Sequence, residues 1–219
     1  WICGDLRKGD FTVYKRSDLQ AVSDNELNKP YALLKKVSNW RRFYAVINAA
    51  SVFMEKAPRT VELDRSYSEQ NLKYDIAQVR ALRAFAYFYM VRIWGDVPLV
   101  TYSYDNGTFP SMPRTDAQTV LSYAKAELLT AIKDLPYQYG TQTNLYYGSY
   151  GAQWQGKLFN KLSAYSVLAH ICAWQGNYAE AETYSAFIID HASEINAKYT
   201  SITDLTSETG LFYSNASVK

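Results

Sequence analysis

Arg80-Ala-Leu-Arg-Ala-Phe-Ala-Tyr-Phe-Tyr-Met-Val-Arg-Ile-Trp-Gly-Asp-Val-Pro-Leu-Val100 is the stretch whose reading decides the fold. Up to Trp94 it joins strong helix formers to apolar side chains on nearly every face, the composition of a central, mostly buried helix. Gly95 can take the backbone that closes a helix and Pro98 cannot continue one, so the chain must turn sharply there. Upstream, Ser68 precedes the apolar series Leu72, Ile76, Val79, Leu82, Phe85, Ala86, Tyr89 and Ile93, which extends the stretch into one long helix with that series as its stripe.

Working outward, Trp40, Phe43, Tyr44, Ile47, Ser51 and Met54 fall at three- and four-residue steps along one helical stripe, which Pro58 closes. Before it, Trp1–Asn39 shows little periodicity and reads as a surface wrapper of loops around one short helix. After the turn, Tyr102–Pro113 is a loop, as Asn106-Gly107 and two prolines require. Thr115 followed by Gln118 gives a capping box, and a helix should begin at Asp116 with the stripe Val120, Leu121, Ala124, Leu128, Ala131, Ile132 and Leu135. Pro136–Gly156 is aromatic but sustains neither helical nor strand periodicity. From Leu158 the stripe Leu162, Tyr165, Leu168, Ala169 and Cys172 leads to Gly176. Trp174-Gln-Gly-Asn-Tyr-Ala-Glu-Ala181 then reads as a tetratricopeptide joint: Gly176 closes one helix, Ala169 and Ala181 permit close approach, and Tyr178 wedges between the two. The Trp94-Gly95 joint lies roughly two such periods earlier. Trp94 and Tyr178 are therefore expected as buried anchors. The pattern fades after His191 into a Ser/Thr-rich tail.

The segment L-R-A-x-A-Y-F-x-x-V-R-x-W-G-D-V-P-L-V, Leu82 to Val100, resembles the most recognisable segment of the SusD/RagB family. W-x-x-x-Y-x-x-I-N-x-A from Trp40 resembles another of its helices, with Ser51 where a second Asn is usual. Arg114–Ala131 is similar to the segment after its G-D-V-P turn, although Glu127-Leu128 stands where an Asp-Leu pair is usual. Gly156–Tyr165 resembles the entry to a further helix, with Lys157 in place of an arginine. The likeness covers Trp40–His191 well and the two ends poorly.

The resemblance implies an outer-membrane, surface-exposed nutrient-binding lipoprotein that captures oligosaccharide and hands it to a SusC-like TonB-dependent transporter. It implies an all-α fold of tetratricopeptide-like helical hairpins with long irregular loops, and no cofactor. The domain reading is a wrapper over 1–39, a helical repeat domain over 40–200 and an irregular tail over 201–219 before a missing C-terminal half. Membrane contact would be made only through a lipid anchor absent from this chain. Cys3 follows no charged and apolar signal segment and reads as an ordinary residue. The rival reading is a tetratricopeptide scaffold that binds peptides and no sugar; its adaptors lack the Gly95-Asp-Val-Pro98 segment.

Composition narrows the function classes. A formal charge of +2 over 219 residues, from 23 basic and 21 acidic side chains, gives no basic stripe, which argues against nucleic acid. The longest apolar runs are broken by Arg83, Arg92 or Asp96 well short of about twenty residues, so no helix is expected to span a bilayer. Cys3 and Cys172 match no metal spacing and allow at most a single bridge, Cys172 reading as a small buried hydrophobe. His170 reads as a satisfied imidazole within a packed helix and His191 as a residue favourable to a helix C-terminus. With no H-E-x-x-H, nucleophile elbow or phosphate loop, a binding protein ranks above an enzyme, and a glycan-cleaving enzyme ranks below both binding readings.

Aromatic residues make up 16% of the chain, with 20 tyrosines against 9 phenylalanines. A sugar needs aromatic faces beneath its C–H surface and amide, carboxylate or guanidinium groups for its hydroxyls, and two places offer both. One is the loop with Tyr146, Tyr147, Tyr150 and Trp154, expected to be exposed; the other is the wrapper with Trp1, Asp5, Arg7 and Tyr14. These eight are the candidate ligand-binding residues, and no catalytic or metal-binding residue is assigned.

Overall fold

The structure, a computed structural model, describes residues 2–105, 109–139, 156–197 and 201–203. Among these the regular elements are helices, and the β pairing consists of one antiparallel bridge between Val97 and Thr115. The short helices α1 (Asp5–Lys8), α2 (Ser17–Ser23) and α3 (Ala32–Val37) come first. They are followed by α4 (Arg41–Lys56), α5 (Pro58–Leu63), α6 (Glu69–Trp94), α7 (Ala117–Ala131), α8 (Lys161–Trp174) and α9 (Tyr178–Asp190). A 3-10 turn, Ala192–Ile195, ends the series. α6 packs on α4 and α7, while α8 packs on α7 and pairs with α9. This is the all-α hairpin architecture the sequence pattern implies.

The central helix has the expected extent, and its N-terminus is capped by the Ser68 side chain, which accepts the Asn71 N–H. Its buried face, however, is not the expected stripe. Ala77, Ala81, Ala84, Tyr87, Met90 and Val91 are buried, whereas Leu82 is 43% exposed and Tyr89 is also exposed. Alanines bring neighbouring helix backbones close together, which multiplies dispersion contacts, so the small side chains mark the packed face here. α7 buries Val120, Leu121, Ala124, Leu128 and Ala131 of its expected stripe; past its end Leu135 is also inside, while Ile132 is half-buried.

Charge also sits in this core. The buried Arg83 donates to Ser51 Oγ on α4 at 2.9 Å, to the Thr101 carbonyl at 3.4 Å and to Glu127 on α7. Arg80 reaches the other oxygen of the same carboxylate at 2.8 Å. One acid thus joins two turns of α6 to α7, while Arg83 carries the connection on to α4.

Helix ends follow local chemistry, with corrections. α7 begins at Ala117, and its cap is Asp116, which accepts the Thr119 N–H at 2.9 Å; bonding to Thr119 holds the carboxyl below its ordinary value. Thr115 forms no capping box because its backbone is committed to Val97, through bonds of 3.2 and 3.0 Å. Pro58 starts α5 as its first residue, where the missing N–H has no helical partner to lose. Asn160 and Ser163 form a reciprocal capping box, so α8 starts at Lys161, after Leu158.

Gly95 has φ 70° and ψ −121°. The sign of φ is as expected, but ψ places the residue outside the left-handed helical region, in a mirror-image extended conformation that L side chains avoid. At the second joint Gly176 (φ 79°) forms a Schellman closure: its N–H bonds the Ala173 carbonyl and the Asn177 N–H bonds that of Cys172. Ala181 is buried there as expected, but Tyr178 is 72% exposed and Trp174 53% exposed, so neither wedges into the joint. Asn177 caps α9 instead, and Lys125 on α7 bonds Glu180 on α9 at 2.6 Å. Trp94 is half-buried, edge-on to Phe43 at 5.4 Å and to Trp40 at 6.1 Å.

The segment before Trp40 is more ordered than loops around one helix. Leu6, Ala21, Val22 and Leu34, drawn from its three short helices, bury one another in a small core of their own. His170 is exposed rather than buried within the packing, its ring 6.4 Å from that of Phe88. His191 follows α9 and stacks on Phe187 at 4.0 Å, with Nδ1 2.9 Å from the Phe187 carbonyl. Cys3 and Cys172 are unbridged, and Cys172 is buried. No helix among the described residues is long and apolar enough to cross a membrane.

Candidate functional site

The turn after α6 is fixed residue by residue. Asp96 Oδ1 accepts the N–H of Ala117 at 2.9 Å and so helps to cap α7. The Pro98 carbonyl accepts the Tyr44 hydroxyl at 2.7 Å. The fully buried Tyr87 hydroxyl donates to the Val100 carbonyl and accepts the Val100 N–H, both at 2.8 Å. Beyond it, the Asn48 carboxamide grips the backbone of Tyr104 twice, donating to its carbonyl at 3.0 Å and accepting its N–H at 2.7 Å. Glu55 accepts the N–H of Ser103 at 2.9 Å and its hydroxyl at 2.5 Å, and Lys56 pairs with Asp105 at 2.8 Å. Residues 98–105 are thereby laid along α4.

What this clamping displays is a run of rings. Trp40 meets Tyr44 at 6.0 Å, Tyr44 meets Phe109 at 6.3 Å, Phe109 meets Tyr104 at 4.6 Å, and Tyr104 meets Tyr102 at 5.0 Å. Phe109 is 53% exposed and Tyr102 is exposed as well. Between α4 and residues 109–112 lies an open groove of about 700 Å³, lined by Trp40, Tyr44, Phe109 and Pro98 with Asn39, Arg41, Asn48 and Ser111. Burial pushes the Tyr44 hydroxyl pKa up, with the Arg114 charge pulling the other way. Bonding to the Tyr102 hydroxyl pushes the Tyr104 pKa up to about 12, so Tyr44 and Tyr104 stay neutral at physiological pH. Aromatic faces with amide and guanidinium groups beside them suit noncovalent capture of a ligand with both apolar and hydroxylated surfaces. Among the described residues no cluster of three His, Cys, Asp or Glu side chains could hold a metal.

The clamps should release in acid. Bonding to Ser103 lowers the Glu55 pKa, and bonding to Lys56 lowers that of Asp105. Depressed carboxylates contribute fully above their unfolded pKa and lose that contribution as pH falls through the folded value. Amide exchange at Ser103, corrected for its intrinsic rate, is expected to stay protected at neutral pH. Protection should fall once pH drops below about 4, where ordinary carboxylates protonate. Protection at Ser103 that is the same in Glu55→Gln as in the parent at neutral pH would show that this carboxylate does not hold the segment.

Of the candidates named from sequence, Tyr146, Tyr147, Tyr150, Trp154 and Trp1 lie outside the described residues. Asp5 opens α1, Arg7 donates to Asn25 Oδ1 at 2.6 Å, and the exposed Tyr14 ring carries the Lys15 ammonium at 5.0 Å. These interactions give Arg7 and Tyr14 different neighbours, and none places them beside the aromatic groove. Near the loop, Tyr139 donates to the Phe159 carbonyl at 2.7 Å and Tyr137 stacks on His191, so both turn toward protein. The groove residues Trp40, Tyr44 and Phe109, with Tyr104 and Tyr102 continuing the run of rings beside them, are not among the candidates named from sequence. The aromatic content of Tyr102–Pro113 was the signal that could have found them.

No family model matches the chain. It is similar to a solved SusD superfamily protein from Bacteroides thetaiotaomicron VPI-5482, with 99% identity and a TM-score of 0.91, covering 100% of this chain and 48% of that one. The chain belongs to the SusD superfamily. SusD-like protein P38 of Formosa agariphila is 30% identical over 82% of this chain and 31% of its own length. A solved laminarin binding SusD-like protein matches at 26% identity and a TM-score of 0.61, over 77% of this chain and 32% of that one. The SusD-superfamily chain thus spans about half the length of its near-identical solved relative and about a third of the other two. Its Leu82–Val100 segment now has a physical account: Arg83, Tyr87, Gly95, Asp96 and Pro98 join three helices and aim the segment that carries the rings.

Proposed function

We propose that this SusD-superfamily chain is part of a surface glycan-binding protein that captures oligosaccharide without cleaving it. The observation that carries the reading is the exposed aromatic groove of Trp40, Tyr44 and Phe109, held in shape by Asn48 and Tyr87. A relative of the same fold is named as laminarin binding, which supports the ligand class. Delivery to a SusC-like TonB-dependent transporter at the outer membrane, through a lipoprotein anchor, is proposed from family membership. On the same footing we propose that residues 40–200 form the repeat domain, with 1–39 as the wrapper and 201–219 leading into further chain. Tyr146, Tyr147, Tyr150, Trp154, Trp1, Asp5, Arg7 and Tyr14 are proposed as further ligand contacts on composition alone.

The test is calorimetric titration of a glycan panel into the chain and into a Tyr102→Ala/Phe109→Ala variant. Both rings are exposed, so the fold, checked by circular dichroism, should survive. Affinity for the panel member that binds is expected to fall at least several-fold, on the order of 1 kcal/mol or more. Unchanged affinity in the variant would remove the groove as the site.

A further inference from the structure

We infer that the aromatic groove takes an acidic oligosaccharide, with Arg41 and Arg114 receiving its carboxylate or sulfate ester while the ring faces carry the sugar. This rests on the glycan-binding reading above and adds the charge of the ligand. Arg41 lines the groove, and Arg114 stands beside it, its guanidinium 5.3 Å from the ring centroid of the lining residue Trp40 and its charge acting on Tyr44. Both side chains are exposed, and neither has a carboxylate within ion-pair distance among the described residues. The residues lining the groove include no Asp or Glu, so nothing there neutralises the two charges or repels an anion. The acids beside Arg114, Asp116 in the chain and Asp96 across the Val97–Thr115 bridge, are already bonded to the Thr119 and Ala117 N–H groups. A guanidinium laid on an indole face is restricted in motion, yet its N–H edge remains available for a planar carboxylate or a sulfate oxygen. A neutral glycan would leave both donor sets to water. An acidic one pairs them while its C–H faces rest on Tyr44 and Phe109.

The test compares a uronic-acid oligosaccharide, a sulfated oligosaccharide and a neutral β-glucan oligosaccharide of equal length, titrated into the chain at low and high salt. At least one acidic arm should bind about tenfold tighter than the neutral arm at low salt, with the difference shrinking as salt screens the charges. Whichever acidic arm is tighter identifies the anion. Arg41→Gln/Arg114→Gln should abolish the preference by bringing the acidic arms down to the neutral one, and the Tyr102→Ala/Phe109→Ala variant should weaken every arm. Equal affinities across the arms, or a preference that survives loss of both arginines, would overturn the inference and leave the glycan-binding reading standing. Acidic arms unaffected by loss of the rings would reduce the effect to plain ion pairing and also overturn it. Binding by none of the three would overturn the broader reading and this inference with it.

Discussion

Glu127→Ala is expected to destabilise the fold by about 3–5 kcal/mol, because it strands the charge of a buried arginine. The Arg83 side chain is only 6% exposed and that of Glu127 11%, so water cannot replace the lost carboxylate without opening the α6–α7 contact. The size of the effect measures the stranded charge rather than the net worth of the pair. Replacing both members with apolar residues of similar volume, Arg83→Met with Glu127→Leu, should therefore lie close to the parent or above it. Urea denaturation of the parent, the single and the double variant decides the matter. A single variant within about 1 kcal/mol of the parent would mean that the network does not hold the helices together, since that is the scale of an exposed pair.

Tyr87→Phe should have the next largest effect for the smallest change, the loss of one oxygen. That hydroxyl bonds both the N–H and the carbonyl of Val100, a residue 1% exposed. Without it, two buried backbone groups lose their partner, at about 1–3 kcal/mol for each that stays unsatisfied. A total of about 2–4 kcal/mol is expected, together with faster amide exchange at Val100. A variant with parental stability and unchanged exchange at Val100 would show that another donor or water takes the place of the hydroxyl.

How far the sequence could be read depended on whether the deciding signal was local. The extents of α4 and α6, the start of α7, the Ser68 cap and the closures at Gly95 and Gly176 come from capping chemistry and helical periodicity within a few residues, and they were legible. The buried face of α6 was not, because apolar residues lie on every side of it. Periodicity then cannot choose between the large stripe through Leu82 and Tyr89 and the small one through Ala77, Ala81 and Ala84. Tyr178 misled for a related reason: an aromatic ring beside a helix-closing glycine fits a wedge, but Asn177 and Glu180 fill that role by hydrogen bonding. The small core of the wrapper draws Leu6, Val22 and Leu34 from three short helices, a span over which no period develops. The groove was hidden by distance along the chain. Trp40 and Tyr44 belong to α4 and Phe109 to the segment after α6, and only the turn at Gly95 brings them together.

The double grip of Asn48 on Tyr104 has a consequence for the thermodynamics of recognition. Because the carboxamide gives one N–H and one oxygen lone pair to backbone, it is oriented before any ligand arrives, and that part of its role in binding is exerted in advance. The wall of rings is ordered in the empty protein, so its ordering entropy is settled during folding and is not charged again against the affinity. A groove built this way favours fast association and loses binding strength in proportion to any loosening of a contact that no ligand touches.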